Sequence, residues 1–213
     1  MTDPDAALAA YGKYRRTHPE LFVNPPGAAF EIVFDPDVQR RMGAGVRYED
    51  DYYLLLRDAV RFRDESTGAY IRLIPVAGHG GAAVLPLVGE NVVLLRHQRH
   101  ATRASHWEIP RGFGSIGEPP DKTARRETTE ELGVPDPELV ELGGIHPDTG
   151  ASNVFTKLYL ARLTGLGKIE TNEGIDKSSE VPVDQLVSMV LSGEITDSFT
   201  LAAILLARLR GLL

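Results

Sequence analysis

The sequence predicts an α/β or α+β protein in which a mixed β-sheet lies between helices. Segments rich in β-branched and aromatic residues alternate along the chain with a few helix-like segments. Hydrophobic residues make up 42% of the 213 positions, which is enough to build a sizeable core. We therefore expect one large domain, or one domain with a smaller extension.

The N-terminal part should contain one short helix, over residues 5–16, followed by strands. The next stretch, THPELFVNPPGAAF, contains three prolines and is expected to be extended or looped. The segments YYLLLRDAVRFRD and AYIRLIPVAG have strand-like composition, and DESTG between them is typical of a turn. We take residues 1–70 as a β-rich extension and 71–213 as the main domain.

The main domain is predicted to begin with a β-hairpin and to end with two helices. Two apolar runs at 80–99 flank the turn sequence Gly89-Glu90-Asn91. Prolines before residue 121 and a glycine at 133 bound a helix over about 120–132. Residues 153–163 alternate as a strand does, and helices are expected at 183–192 and 197–211.

Composition excludes some classes of protein and disfavours others. The formal net charge of −7 argues against a nucleic-acid binder that relies on bulk positive charge. The chain has no cysteine, so disulfides and thiolate metal sites are excluded. The N-terminal residues lack the apolar core of a signal peptide, and no apolar run approaches the roughly 20 residues that span a bilayer. We expect a cytoplasmic protein without nucleic-acid or membrane partners.

The chemistry is concentrated in the segment GFGSIGEPPDKTARRETTEELGV, residues 112–134. On a helix, Glu127 and Glu131 share a face about 6 Å apart along the axis, and Glu130 borders it. Carboxylates crowded in this way repel one another, and a hard divalent cation such as Mg²⁺ would relieve the repulsion. Arg126 can pair with one carboxylate, and Glu118 can complete the set from the preceding loop. A bare charge run of this kind would more often be a solvated helix face.

The whole segment, however, resembles the Nudix box, G-x5-E-x7-R-E-U-x-E-E-x-G-U, where U is a bulky aliphatic residue. Only Thr128 departs from the pattern, and because it keeps a β-branched methyl group we expect a mild packing cost. Beyond the box, the motifs HQR, WEIPRG, NEGI and SGEITD are similar to the ADP-ribose pyrophosphatase, or nucleoside-diphosphate-sugar hydrolase, group. This looser resemblance extends over about residues 60–210.

The resemblance implies a Nudix-type mixed sheet between helices and a pyrophosphohydrolase that uses Mg²⁺, with Mn²⁺ as a substitute. A water molecule activated by metal would attack a diphosphate phosphorus. The implied metal ligands are the side chains of Glu127, Glu131 and Glu130 and the carbonyl of Arg111. Arg126 would orient this cluster.

The resemblance also implies a substrate site and a homodimer. Arg99 matches an arginine that reaches the substrate phosphates, and Asn153 stands where the group often carries a glutamate beside the substrate. Glu173 matches a mobile-loop glutamate that activates water, with Glu170 as the fallback. Such a base would have to lie outside the metal-binding helix, since a metal-bound carboxylate is a poor proton acceptor. Dimer contacts are expected within the extension of residues 1–70, and they should include part of residues 20–70.

Three neighbouring residues have two interpretations each. Trp107 could stack on a base, although a single tryptophan beside a strand is more often part of the core. Glu108 could support the metal site or be an ordinary charge at a strand end. The basic stretch RHQRHATR could clamp a diphosphate through Arg99, whereas Arg96 and Arg103 are as readily explained as solvated charges.

Three functional hypotheses follow from these residues. The first is hydrolysis of ADP-ribose or another nucleoside-diphosphate sugar to a nucleoside monophosphate and a sugar phosphate. The second is hydrolysis of a dinucleoside polyphosphate or another nucleotide. The third is a non-catalytic nucleotide sensor, which the intact box and the lack of room for a DNA-binding segment disfavour.

Overall fold

The computed structural model describes residues 3–76, 78, 80–169, 171 and 174–213. They form two compact units. The first comprises Met1–Ala77 with Asp148–Asn153, and the second comprises Gly78–Pro147 with Val154–Leu213. Within the described residues, no helix is both long enough and apolar enough to cross a bilayer.

The first unit is a small antiparallel sheet with two helices. Its elements are α1 (Pro4–Thr17), β1 (Phe30–Ile32), α2 (Pro36–Met42), β2 (Gly45–Glu49), β3 (Tyr53–Phe62) and β4 (Thr67–Pro75). Strand β3 is central and pairs with the other three strands. The stretch that was expected to be extended or looped contains a single 3₁₀ turn, Pro19–Phe22. Proline is favourable in the first turn of a helix, which explains why this short turn begins there.

A buried polar network joins α1 to β3 and β4. The Tyr11 hydroxyl donates to Asp58 at 2.5 Å, and the Arg72 guanidinium binds the same carboxylate through Nε and Nη2. Tyr11 and Asp58 are almost completely buried. Burial, followed by the negative charge of Asp58, raises the pKa of Tyr11 above its ordinary value. The hydroxyl therefore stays protonated and keeps donating to Asp58.

The second unit contains a seven-stranded sheet and three helices. Its elements are β5 (Ala82–Val88), β6 (Asn91–Arg99), β7 (Ala104–Glu108), β8 (Arg111–Gly112), α3 (Pro120–Leu132), β9 (Glu138–Ile145), β10 (Thr156–Leu163), β11 (Ile175–Pro182), α4 (Val183–Ser192) and α5 (Ser198–Leu209). The strand order is β11-β6-β5-β10-β9, with β7 on β6 and β8 on β5. Strands β5 and β10 are parallel, whereas β6 is antiparallel to β11, so the sheet is mixed.

Helices cover both faces of this sheet. On one face, Ala124 and Leu132 of α3 pack with Val93 and Leu95 of β6. On the other face, α4 and α5 pack against a second cluster that includes Leu94. Alternate residues of β6 thus enter opposite cores, as strand geometry requires. The predicted mixed sheet between helices is confirmed.

Several local expectations need correction. The sequence indicated no strand between the helix that ends near residue 132 and the strand that begins at 153, but this region contains β9. The acidic segment near residue 173 was expected to be a loop leading to the later helices, yet Ile175 and Asp176 already belong to β11. Strand β4 crosses residue 70, and the first compact unit takes in Met1–Ala77 and Asp148–Asn153. The division into a 1–70 extension and a 71–213 domain stays a prediction.

Candidate active site

The box segment runs from β8 through a loop into helix α3. Pro120 lies in the first turn of α3, where a missing N–H costs nothing, and Gly133 ends the helix in the left-handed conformation with φ of 66°. At the other end, Gly112 lies directly against the Glu127 side chain. A Cβ atom at position 112 would overlap that carboxylate. The first box glycine therefore makes room for an acidic side chain of the helix.

Of the three glutamates near the end of α3, two are buried and one is exposed. Glu127 and Glu131 retain only 7% and 6% of their accessible surface, whereas the Glu130 side chain is 55% exposed. Burying carboxylates is costly unless they are compensated by positive charge or by a metal. The pair on the buried side of α3 thus marks a place that needs positive charge.

Arg126 supplies part of that charge. Its Nη1 lies 2.7 Å from Glu127 Oε1 and 2.9 Å from Glu130 Oε2. Its Nη2 donates to the Phe113 carbonyl at 2.9 Å. One guanidinium therefore ties two helix carboxylates to the loop that follows Gly112.

Glu118 is held inside the same loop. Its Oε2 accepts from the Thr123 hydroxyl at 2.8 Å and from the Ser115 amide at 3.2 Å. The Thr123 hydrogen bond, then the Ser115 amide, lowers the pKa of Glu118. This carboxylate is thus ionised at neutral pH and braces the loop against the start of α3.

Thr128, the one departure from the box pattern, is completely buried. Its hydroxyl donates to the carbonyl of Ala124 one turn earlier, at 2.8 Å. The polar group is satisfied within the helix, which is the usual solution for a buried threonine in this position. The substitution leaves the acidic face of α3 intact.

A second charged group lies at the ends of β6, β7 and β8. Glu108 is buried, and its Oε2 accepts from Arg99 Nε at 2.9 Å and Nη2 at 2.5 Å. The same oxygen lies 3.3 Å from Arg111 Nη2. The sequence did not foresee this junction, because the pairing depends on the register of β6 with β7.

The remaining predicted site residues lie in different surroundings. Trp107 packs against the core on the α4 and α5 face, with the Lys177 ammonium 5.7 Å from its ring centre. Asn153 is exposed and belongs to the first unit. Glu170 and Glu173 fall outside the described residues. The functional roles of these four residues stay predictions.

The donor chemistry of the box fits a hard divalent cation. Glu127 and Glu131 offer only oxygen, the ligand that Mg²⁺ prefers, and they are buried on one side of α3. Across the part of the chain that the structure describes, no three histidine, cysteine, aspartate or glutamate side chains form a ready-made metal cluster. The contacts of Arg126 with Glu127 and Glu130 occupy two of the box carboxylates in this arrangement.

Comparison with known proteins decides the family. The sequence-family model for the NUDIX domain matches residues 78–199, which is more than half of the chain. The chain belongs to the Nudix family. It is an enzyme of the pyrophosphohydrolase class.

Two relatives of this Nudix protein have the same name, ADP-ribose pyrophosphatase. It is 30% identical over 161 residues to a Mycobacterium tuberculosis protein named ADP-ribose pyrophosphatase, a match covering 72% of this chain and 75% of the relative. It is 28% identical over 131 residues to a Bacillus subtilis protein of the same name, covering 59% of this chain and 70% of the relative.

A solved structure titled ADP compounds hydrolase has the same fold, with a TM-score of 0.66. It shares 16% sequence identity and covers 80% of this chain and 94% of its own. The motif and the Nudix fold therefore agree: Gly112 ends β8, and Arg126 and the buried glutamates lie on α3.

Proposed function

We propose that this Nudix protein hydrolyses the diphosphate bond of ADP-ribose or a related nucleoside-diphosphate sugar in a Mg²⁺-dependent reaction. The products would be a nucleoside monophosphate and a sugar phosphate. One observation carries the proposal: two carboxylates, Glu127 and Glu131, are buried on the same helix, against a glycine that leaves space for one of them.

The box residues would hold the metal. In the proposal, Glu127 and Glu131 are the principal ligands, and Glu130 and the Arg111 carbonyl assist. Bound Mg²⁺, or Mn²⁺ in its place, would neutralise phosphate oxygens and lower the pKa of a water molecule. Arg126 orients the set, and its contacts with Glu127 and Glu130 support this role.

The substrate phosphates would be bound by arginines beside the box. The side chains of Arg99 and Arg111 are each 26% exposed, so both are partly accessible while Glu108 holds their guanidiniums. Guanidinium groups bind phosphate oxygens through paired hydrogen bonds. We keep Trp107 and Asn153 as candidate contacts for the nucleoside part of the substrate.

The nucleophilic water would be activated by Glu173, with Glu170 as the fallback. The carboxylates of α3 are committed to the metal in this scheme, so the proton acceptor should come from another segment. The residue that follows Glu173 is anchored beside the substrate arginine: the Gly174 carbonyl accepts from the Gln98 amide at 2.9 Å, next to Arg99 on β6. The position of Gly174 on this strand supports the choice of Glu173, its neighbour in the sequence.

The protein would work as a homodimer with contacts in the N-terminal segment. In the first unit, Phe30 and Tyr70 stack at 5.1 Å, although 42% and 45% of their surfaces are exposed. Exposed aromatic residues that lie together mark surfaces that proteins cover by association.

Turnover of a panel of nucleotides with Mg²⁺ tests the proposed function. ADP-ribose, UDP-glucose and diadenosine tetraphosphate would each be incubated with enzyme, and the released monophosphates measured. We expect ADP-ribose or UDP-glucose to be cleaved fastest. Preference for diadenosine tetraphosphate would replace the proposed substrate with the alternative, a dinucleoside polyphosphate. Cleavage of none of the three would contradict diphosphate hydrolysis.

A further inference from the structure

The buried carboxylate of Glu108 organises two arginines that come from opposite faces of the sheet. We propose that Glu108 is a positioning residue that sets Arg99 and Arg111 as one clamp for the substrate diphosphate. This inference rests on the proposed function and deepens it. Glu108 is outside the box and does not contact substrate in the proposal, but it would determine how the two arginines bind phosphate.

The register of the strands explains how the two arginines meet. Glu108 lies opposite Leu95 on β6, and Leu95 belongs to the core under α3. Arg99 is four residues along the same strand and therefore points to the same face. Arg111 lies opposite Ala83, which belongs to the core under α4 and α5. The two guanidiniums approach from the two faces and converge on a single oxygen, Glu108 Oε2.

Contacts with α5 fix Arg111 from the other side. Its guanidinium carbon lies 4.6 Å from the centre of the Phe199 ring, and its Nη2 lies 3.9 Å from Asp197 Oδ1. The other oxygen of Asp197 caps α5 by accepting from the Thr200 amide and hydroxyl. Asp197 therefore hydrogen-bonds to the start of α5 through one oxygen and lies beside Arg111 through the other.

An unsatisfied donor at this junction favours an anion. The two guanidiniums share one oxygen of Glu108, and the second nearby carboxylate, Asp197, approaches only Arg111, at 3.9 Å. In addition, Nε of Arg111 is buried and has no hydrogen-bond partner among the described residues. A buried donor without a partner is costly, and a phosphate oxygen would satisfy it.

The ion pair between Arg96, on the same strand as Arg99, and Asp176 has a different form. Arg96 binds Asp176 through two hydrogen bonds of 2.7 Å, one to each carboxylate oxygen. That pair is balanced, exposed, and on the opposite face of β6 from Arg99. At Glu108, by contrast, one buried carboxylate oxygen binds both Arg99 and Arg111. It therefore keeps two positively charged guanidiniums next to each other. Such an arrangement suits the binding of two neighbouring phosphates.

The test compares Glu108→Gln with Glu141→Gln. Glu141 is the control because its carboxylate also forms a cross-strand ion pair, at 2.6 Å from Lys157, on β9 and β10, which carry none of the clamp residues. For the best substrate of the wild type, we expect Glu108→Gln to raise KM about tenfold or more with kcat within about threefold. Glu141→Gln should match the wild type. An unchanged or lower KM in folded Glu108→Gln would overturn the proposal.

Binding of inorganic pyrophosphate without metal, measured by calorimetry, separates this inference from the proposed function. If the wild type cleaves no compound of the panel, the proposed function fails, but pyrophosphate binding still tests the clamp. We expect Glu108→Gln to bind pyrophosphate about tenfold more weakly than the wild type. Equal binding by the two proteins, or no binding by the wild type, would contradict the clamp.

Combined variants test whether Glu108 acts through the arginines. The double variant Arg99→Lys, Arg111→Lys keeps both charges but loses the planar forks, so KM should rise while the protein stays folded. Adding Glu108→Gln to this double variant should then change KM less than it does in the wild type. If Glu108→Gln raises KM by the same factor in the double variant as in the wild type, Glu108 does not act through the arginines. If Glu108→Gln lowers Tm and kcat without affecting KM, Glu108 has a structural role instead.

Discussion

Gly112 lies so close to the Glu127 carboxylate that any side chain at position 112 would displace it. The neighbour is the flexible end of a glutamate side chain, so the backbone can stay in place while the carboxylate moves. We therefore expect Gly112→Ala to fold with a Tm near that of the wild type and to lose activity by about 100-fold, as expected for a displaced catalytic group. Melting curves and kcat measure both effects.

Gly165→Ala is the control for that variant. Gly165 has nothing within 4 Å of the position of an added Cβ atom and does not need a positive φ. This variant should keep full activity. Full activity of Gly112→Ala as well would show that the position of the Glu127 carboxylate does not matter for turnover.

Glu131→Gln should lower kcat by at least about 100-fold, since even indirect supports of a metal site contribute tenfold to 100-fold. The substitution keeps size and removes one of the charges that crowd α3. The Tm of the metal-free protein should therefore stay the same or rise. Glu138→Gln, at an exposed position on β9, is the control. Near wild-type kcat for Glu131→Gln at saturating Mg²⁺ would remove Glu131 from the principal ligands.

Glu173→Gln should lower kcat by about 100-fold or more, while KM and the affinity for Mg²⁺ stay nearly unchanged. This pattern is the signature of a lost proton acceptor, because substrate binding and metal binding do not depend on it. Kinetics at varied substrate and Mg²⁺ concentrations separates the three quantities.

Glu170→Gln is the comparison for that measurement. An active Glu173→Gln together with an inactive Glu170→Gln would move the role three residues upstream. If both variants are active, the base lies in the box, and Glu130 becomes the candidate.

Light scattering at micromolar concentration should give twice the mass of one chain. Tyr70→Glu places a charge in the exposed aromatic cluster of the first unit and should shift the protein towards monomer. Leu205→Glu changes a residue that is 58% exposed on α5 and should leave the dimer intact. A wild-type monomer would remove the predicted homodimer.

The elements that the sequence predicted well are those with local start and stop signals. Helix α3 lies between Pro120 and the left-handed Gly133, both of which can be recognised in the sequence. Helix α2 had similar signals that were overlooked: Asp35 caps it by accepting from two backbone amides, and Gly43 ends it at φ of 64°.

The strands β9 and β11 could not be recognised by composition. β9 has one fully buried residue, Leu142, and two glycines, and β11 contains mainly polar residues. They lie at the two ends of the strand order, where each pairs with one neighbour and little apolar burial is needed. Tertiary pairing overrides the weak intrinsic preference of such segments for strand structure.

For the site, the sequence predicted which residues of the box would be grouped, because their spacing on one helix determines it. It left Glu108 open between two interpretations, since the contact with Arg99 depends on strand register. It could not assign Arg111 a partner on α5, because Phe199 and Asp197 are distant in the chain. Long-range pairing of charges is beyond what local patterns specify.

The dependence of turnover on divalent metal is the most direct measurement for the central claim. The account predicts that EDTA abolishes hydrolysis of ADP-ribose, or of whichever panel compound the wild type prefers, and that excess Mg²⁺ restores it. Mn²⁺ should substitute for Mg²⁺. Full turnover in the presence of EDTA would contradict the account, because the buried pair Glu127 and Glu131 would then act without a metal.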